Sequence, residues 1–473
     1  MAMILTIFLP RKLGAEGIGI LHLAESLWVI VALFIAFGMD TYLTKEVARF
    51  PDRTSELLWS SISLRGFLFI FTFVGVVIYA NAAGYAELTV TVLLIYGFGR
   101  LISEFGNAVS AVLVGLERME YMALANVALK AFSTVVTILV LILGYDVVAV
   151  AVVFIGSSVV GFLIQLFYLS RLQFVRPSFG LSIARKMLKA SLPYVFITVF
   201  SVLYMNLDAI FISLIVNEET LGWYSGADRL FGTMMFIPSV FITAAFPALA
   251  RLNVESPEEL KKLMRRSFDM LLLLGVPIGL GLIAVADNLV VFLYGQDFVN
   301  SGPVLAIMGL VLIFTYQNIL LGRFMIAVDR QNVWTIVMAV ATAATIVLDI
   351  FLIPLMHNVF GNGAIGGALS FVVTEILMTL VGLRYLPDGA LTRKNAWTAV
   401  KIGLAGLMMT AAVWPLRHLF IALPVAAGGI VYLLAILLLR AMAEEDKLLV
   451  KDMGLRIWYR TLGRRSQPVG MDG

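Results

Sequence analysis

With 473 residues, 61% of them hydrophobic and 14% charged, and a mean hydropathy of +0.98, the chain is too apolar for a water-soluble domain, in which charged residues run near 25%. The formal charge of +4 does not call for nucleic acid, because membrane proteins gather Lys and Arg in the loops on one side. Cysteine is absent, which excludes disulfides, thiolate chemistry and Cys-ligated metal, and His22, His357 and His418 show no ligand spacing.

The chain opens on MAMILTIFLPRKLG, a short apolar run without a basic leader or a small-residue cleavage site, so it does not read as a signal peptide. It reads instead as the end of a crossing whose first half lies outside this sequence. Apolar runs then predict helical spans at 20–38, 62–80, 86–113, 122–143, 147–169, 191–214 and 222–249. Further runs follow at 267–285, 303–327, 333–353, 364–383, 397–413 and 421–439. A bilayer core of about 30 Å needs about 20 such residues per helical crossing, so the fold class is all-α and polytopic, with about 14 transmembrane helices, the first truncated.

If residues 10–19 lie outside, only Arg11, Lys12 and Arg417 of the 34 Lys and Arg share that side. Arg100, Lys130, Arg229 and Arg323 fall at membrane depth, and the rest collect on the other side, which the positive-inside rule makes cytoplasmic. That places the chain in the cell membrane with its C-terminus in the cytoplasm. The inner segments VARFPDRTSELLWSS, SRLQFVRPSFGLSIARKMLKAS and ARLNVESPEELKKLMRRS mix basic residues with Leu, Phe or Trp at helical spacing, and read as short interfacial helices against anionic lipid or as solvated connectors. The outer connectors are short, ADNLVVFLYGQDFVNSG being the longest, which leaves no room for a catalytic ectodomain. Trp28, Trp59, Trp223, Tyr224, Trp334, Trp414 and Trp458 read as interfacial belt residues.

An internal repeat is visible. Gly19 matches Gly222, Glu25 matches Asp228, Ala48 and Arg49 match Ala250 and Arg251 after one gap, and Arg118 of GLERMEY matches Arg330 of AVDRQNV. The pattern predicts two six-helix bundles related by a parallel pseudo-twofold axis along the membrane normal. The boundaries are 1–169 for the first lobe, 170–190 for a cytoplasmic linker, 191–385 for the second lobe, and 386–473 for two accessory spans and a basic tail.

These segments carry a family likeness. LGAEGIGILHLAESLWVIVALFIAFGMDTYLTKEVARF resembles the opening of the Wzx-type lipid-linked oligosaccharide flippases, the polysaccharide-transporter branch of the multidrug/oligosaccharidyl-lipid/polysaccharide exporter superfamily. LDAIFISLIVNEETLGWYSGADRL, LYGQDFVNSGPVLAIM and NVFGNGAIGGALSFVVTE resemble its later motifs, so that the likeness covers nearly all of residues 1–385. It separates this family less sharply from lipid II flippases and multidrug exporters. The resemblance implies two lobes in a V, a central cavity, alternating access and export of a polyprenyl-pyrophosphate sugar carrier. The short first span is a departure, since lipid II flippases place cavity arginines there.

A charge at the centre of a membrane helix costs about 2.5–3.5 kcal/mol on insertion scales, so such residues should face a cavity or a partner. Lys and Arg bind pyrophosphate oxygens, which makes Arg100, Lys130 and Arg229 the candidate substrate-binding cations. Each has a second reading: Arg100 neutralised by Glu104 one turn on, Lys130 paired with an acid on another helix, Arg229 bracing the lobe beside Asp228. Arg323, a turn above the inner face, can simply snorkel. Asp208, Glu375, Glu104, Glu25 and Asp228 are the ion-coupling or gating candidates, with Asn206 offering Asp208 a further hard oxygen ligand and Asp349 reading as structural. Salt bridges to Arg100 or Lys130, or buried protonated acids, are the alternatives for these carboxyl groups.

No catalytic residue, cofactor or bound metal is expected beyond Na⁺ or H⁺ as a coupling ion. The partners are a lipid-linked oligosaccharide, membrane lipids and the polymerase and glycosyltransferases of the same pathway. Gly361, Gly363, Gly366 and Gly367 follow no strand and precede no Lys, so they are not a phosphate loop. A multidrug exporter is the nearest rival, and a lipid II flippase the next. A membrane glycosyltransferase, the reading from another class, lacks the outer loop it would need.

Overall fold

The computed structural model describes residues 2–172 and 180–441, so the basic tail, Trp458 and the middle of the expected linker lie outside the described residues. The helices are α1 (Ala2–Ala36), α2 (Met39–Arg49), α3 (Thr54–Ala82), α4 (Glu87–Gly115), α5 (Met119–Ile142), α6 (Val147–Leu172), α7 (Leu181–Ile215) and α8 (Glu218–Met234). They continue as α9 (Phe236–Glu255), α10 (Pro257–Tyr294), α11 (Ser301–Ala327), α12 (Gln331–Phe360), α13 (Ala364–Arg384), α14 (Arg393–Val413) and α15 (Ala422–Leu438). Among the described residues 12 helical stretches are long and apolar enough to cross a bilayer, and α15 is a shorter apolar helix.

The polytopic all-α class holds. α1 consists of two helices that meet at a sharp kink at Gly14, whose φ of 69° and ψ of −178° only glycine adopts freely, so residues 2–13 form a short helix ahead of the first complete span. Other details differ from expectation. The expected span 222–249 is broken after Met234 into α8 and α9, with Pro238 in the first turn of α9. The connector ARLNVESPEELKKLMRRS forms no helix of its own. Its halves belong to α9 and α10, separated by Ser256 with Pro257 starting α10, a position that needs no N–H donor.

The segment VARFPDRTSELLWSS forms no helix of its own either: it is divided among the last turn of α2, a short turn at Pro51–Arg53 and the start of α3, and the amphipathic helix is α2, which lies mostly ahead of it. Met39, Tyr42, Leu43 and Val47 are buried while Lys45, Ala48 and Arg49 are exposed. It packs with Leu57 and Leu58 of α3, Val109 and Val112 of α4, and Ile183, Ala184 and Met187 of α7. The beginning of α7 therefore joins the first half, leaving Arg185, Lys186 and Lys189 exposed, and the same helix ends among α12 and α13.

The element pairs that pack in the first half (α3 with α4, α4 with α6, α5 with α6, α1 with α4) have counterparts in the second: α10 with α11, α11 with α13, α12 with α13, α8 with α11. The turns before the matched Arg118 and Arg330 share one geometry. Glu117 and Asp329 are left-handed at φ 59° and 58°, and each arginine N–H donates to a carbonyl five residues back, Leu113 or Met325, at 2.8 Å. This is a helix C-terminal cap of Schellman type.

The halves meet chiefly where α1 crosses α8. A Cβ on Gly19 would lie 1.7 Å from the Glu218 carbonyl oxygen, and one on Gly222 would lie 1.8 Å from that of Ala15. The two contacts exchange when Gly19 is swapped for Gly222 and Ala15 for Glu218. Further bonds between the halves cluster at this end, away from the basic turns. Thr89 Oγ1 donates to Glu218 Oε1 (3.0 Å), Ser213 Oγ bonds Tyr85 Oη (2.9 Å), and Arg11 donates to the carbonyls of Leu293 (2.6 Å) and Phe292 (2.5 Å). Among the described residues no helix of α3–α6 packs extensively on any of α9–α14. The halves are thus sealed at one end and separate toward the basic end.

Because backbone blocks the Cβ position at the crossing, Gly19→Val must push the halves apart. Its thermal midpoint in detergent should fall by several degrees or more, whereas Gly75→Val, with nothing within 4 Å of its Cβ site, should lose much less. Equal midpoints for the two variants would refute this view of the crossing.

Candidate functional site

One face of α4 carries Arg100, Ser103, Asn107, Ser110 and Val114 at three- and four-residue spacing, all partly or fully exposed. Toward the sealed end the same face continues as Thr89, Val92 and Leu93, which are buried. α5 repeats the pattern: Ala123, Asn126 and Lys130 are exposed, then Thr134, Thr137 and Leu141 are buried. Both helices change from covered to open near mid-length. This is the outline of a crevice that opens at the basic end.

Lys130 lies on that face, exposed, with no ion-pair partner among the described residues; its backbone carbonyl accepts from Thr134 Oγ1 (2.7 Å). The alternative of an acid on another helix is not realised. Arg100 is 23% exposed and pairs with Glu104 at 3.0 Å, as the one-turn spacing allowed. Glu104, 1% exposed, is shared with a residue that the charge pattern left among the inner-end basics. Arg65 is fully buried and donates to Glu104 Oε2 (2.9 Å), the Glu104 carbonyl (2.8 Å) and Asp40 Oδ1 (2.5 Å). Asn107 adds a bond to Glu104 Oε1 (3.3 Å). Two arginines and two carboxylates cancel in this cluster, and both Glu104 oxygens are taken. A signal for Arg65 existed in the sequence: a guanidinium inside LLWSSISLRGFLFIFTF has nowhere to go but a buried acid.

The second half holds the acids. Tyr224 Oη donates to Asp208 Oδ2 at 2.7 Å, while Asp208 Oδ1 and both carboxyl oxygens of the fully buried, neighbouring Asp349 have no hydrogen-bond partner among the described residues. Asp349, expected to be structural, is thus the buried neighbour of Asp208, whereas the Asn206 amide nitrogen turns back to donate to the Val202 carbonyl (2.9 Å). Glu375 accepts from Tyr204 Oη (3.0 Å) and Asn318 Nδ2 (2.7 Å), and Thr379 bonds the Asn318 side-chain oxygen (3.0 Å). Among the described residues no Lys or Arg pairs with Asp208, Asp349 or Glu375, so the expected alternative of a salt bridge to Arg100 or Lys130 is realised for Glu104 and not for Asp208 or Glu375. No group of three or more His, Asp or Glu side chains with metal-binding geometry is found among the described residues.

Arg229 and Glu25 meet across the α1–α8 crossing at 3.7 Å, joining the halves, with Asp228 half-buried beside them. Arg323, exposed on α11, stacks over the Phe246 ring of α9 at 5.9 Å to the centroid. Trp28 is not a belt residue: it is fully buried, and its indole N–H donates to the Leu93 carbonyl at 2.8 Å.

Two helical halves sealed at one end, with charged groups on the walls of the crevice between them, define a polytopic membrane protein of transporter architecture. Residues 8–303 match the family described as "Polysaccharide biosynthesis protein", and the chain belongs to that family. It is 23% identical over 377 residues, 78% of this chain and 77% of the relative, to the "Probable low-salt glycan biosynthesis flippase Agl15" of Haloferax volcanii. Its fold is that of the lipid II flippase MurJ in an inward closed conformation, with a TM-score of 0.69 at 16% identity over 97% of this chain and 99% of that one. An inward-facing multidrug resistance MATE family transporter of the MOP superfamily is also similar, with a TM-score of 0.63 at 18% identity over 81% and 93% of the two chains.

The buried cluster makes a stability prediction. Arg65→Met strands Glu104 and weakens the hold on Asp40, and should cost about 3–5 kcal/mol, read as a lowered melting midpoint in detergent. Adding Asp40→Asn and Glu104→Gln should restore part of the loss. A single variant as stable as the wild type would contradict the cluster's role.

Proposed function

We propose that this protein is a flippase that carries a lipid-linked, polyprenyl-pyrophosphate oligosaccharide from the inner to the outer leaflet of the cell membrane by alternating access, for polysaccharide biosynthesis. The basic end is cytoplasmic under the positive-inside rule, and the crevice then faces the side on which such carriers are assembled. Lys130 carries the reading. An unpaired ammonium midway along a membrane helix is costly unless it faces water or an anion, and it sits where the helix face opens. Arg100, less than a quarter exposed and tied to Glu104, is the second cation, able to turn a donor to a phosphate oxygen while Arg65 keeps Glu104 neutralised. Arg229 lies at the sealed end, where its bond to Glu25 must break for the opposite mouth to open.

Asp208 and Asp349 are proposed as the coupling site. Two neighbouring buried carboxyl groups without a cationic partner among the described residues need a proton or a metal cation between them, and the hydroxyls of Tyr224 and Ser370 lie beside them as further oxygens for Na⁺. Glu375, fully bonded by neutral donors, supports the helices around this site. No catalytic step is assigned to the chain. The paired Gly19 and Gly222 contacts and the repeated helix pairs support a pseudo-twofold relation between 1–169 and 191–385, with 386–473 as an accessory region.

A multidrug exporter would take cationic cargo against an acidic wall, whereas here the open face of α4 and α5 bears Arg100 and Lys130. In proteoliposomes, Lys130→Ala should slow translocation of a polyprenyl-pyrophosphate sugar at least tenfold, and Lys130→Arg should retain most of it. Full activity of Lys130→Ala would overturn the cationic-crevice reading. Separately, Asp208→Asn should remove the dependence on a Na⁺ or pH gradient while leaving cargo binding intact. Unchanged gradient dependence would remove Asp208 from the coupling site.

A further inference from the structure

A cavity of about 530 Å³ lies between α2 and α4, on the same α4 face as Arg100 but further toward the basic end. Its size is that of a small-molecule site. Asn107 and Ser110 of α4 line it together with Asp40, Thr41 and Lys45 of α2. Thr41, Lys45 and Ser110 have no hydrogen-bond partner among the described residues. Asp40 and Asn107, by contrast, are held in place from behind. Arg65 grips one Asp40 oxygen, and Glu104 accepts from the Asn107 amide nitrogen, leaving the second Asp40 oxygen and the Asn107 carbonyl oxygen to the cavity.

The charge balance defines what fits. Asp40 is neutralised by Arg65, which is itself fully buried and out of reach, so Lys45 is the cation facing the space. A pyrophosphate prefers two or more cationic donors, as Arg100 and Lys130 supply. The alcove offers instead two hydroxyls, an amide oxygen, a carboxylate oxygen and one ammonium, alternating donors and acceptors that suit a ring bearing several hydroxyl groups. From Arg100 to Ser110 the helix advances about 15 Å, so one extended headgroup can reach both.

We propose that this alcove is the saccharide subsite of the crevice, binding the sugar unit next to the pyrophosphate through Asp40, Thr41, Lys45, Asn107 and Ser110. It rests on the flippase reading and adds where, and by which side chains, the glycan is recognised. Burial of Arg65 fixes the carboxylate and amide before cargo arrives, which lowers the ordering cost of binding. Discrimination between sugars then falls to Thr41 and Ser110, whose hydroxyls are unpartnered.

The test is binding to the full chain in nanodiscs, using undecaprenyl pyrophosphate bearing one N-acetylhexosamine and bare undecaprenyl pyrophosphate as probes. For Thr41→Val with Ser110→Ala, which removes no bond found in the structure, the Kd for the glycosylated probe should rise at least tenfold. The Kd for the bare probe should stay within twofold of wild type. An unchanged preference, or both affinities falling together, would overturn the subsite. If wild type binds both probes equally, the subsite alone is lost; if it binds neither, the flippase reading is lost with it.

Discussion

The approach of two glycines, Gly19 on α1 and Gly222 on α8, is the constraint on which the rest of this molecule depends. Each lies against the other helix's backbone, closer than any side chain would permit. Close contact over a few residues lets two helices rotate about their crossing without unpacking a broad interface. Around it the bonds between halves (Thr89 to Glu218, Ser213 to Tyr85, Arg11 to the end of α10, Arg229 to Glu25) are single polar contacts near the sealed end, each of a kind worth about 0.5–1.5 kcal/mol net. A seal of that type can be exchanged for contacts at the other end at modest cost. α7, with its start in the first half and its end in the second, is the covalent tether between them.

Charge is divided unequally between the halves. The first ties Glu104 and Asp40 to arginines and leaves Lys130 on an open helix face, while the second keeps Asp208, Asp349 and Glu375 without a cationic partner among the described residues. In the proposed cycle the first half meets the anionic cargo and the second meets the coupling cation. Both binding events then act on the same pair of helices at the crossing, because Tyr224, the partner of Asp208, lies on α8 two residues beyond Gly222.

Much of this was legible in the sequence. Runs of apolar residues marked the spans because lipid leaves few alternatives to a helix. The match of Gly19 with Gly222 and of Arg118 with Arg330 marked residues that share a contact or a turn geometry. What the pattern missed is instructive. Asp349 looked structural because its sequence neighbours are apolar, and its neighbour in space, Asp208, lies on another helix, far away in sequence. Arg65 was grouped with the loop cations by its distance from a span end, yet side-chain direction sends it inward to Glu104. Trp28 has belt composition but core packing, a distinction that depends on Gly97 making room for its ring.

The central claim is rotation of two halves about the α1–α8 crossing. The absence of native cysteine allows spin labels to be placed freely. Labels at Glu117 and Asp329, on matched turns of the basic end, can be compared with labels at Gly84 and Gly361 on turns of the sealed end. Adding the lipid-linked cargo and an ion gradient in liposomes should shorten the first distance by several ångströms and lengthen the second. Distances that both hold still, or that change in the same direction, would contradict a rocking mechanism and with it this account of the fold.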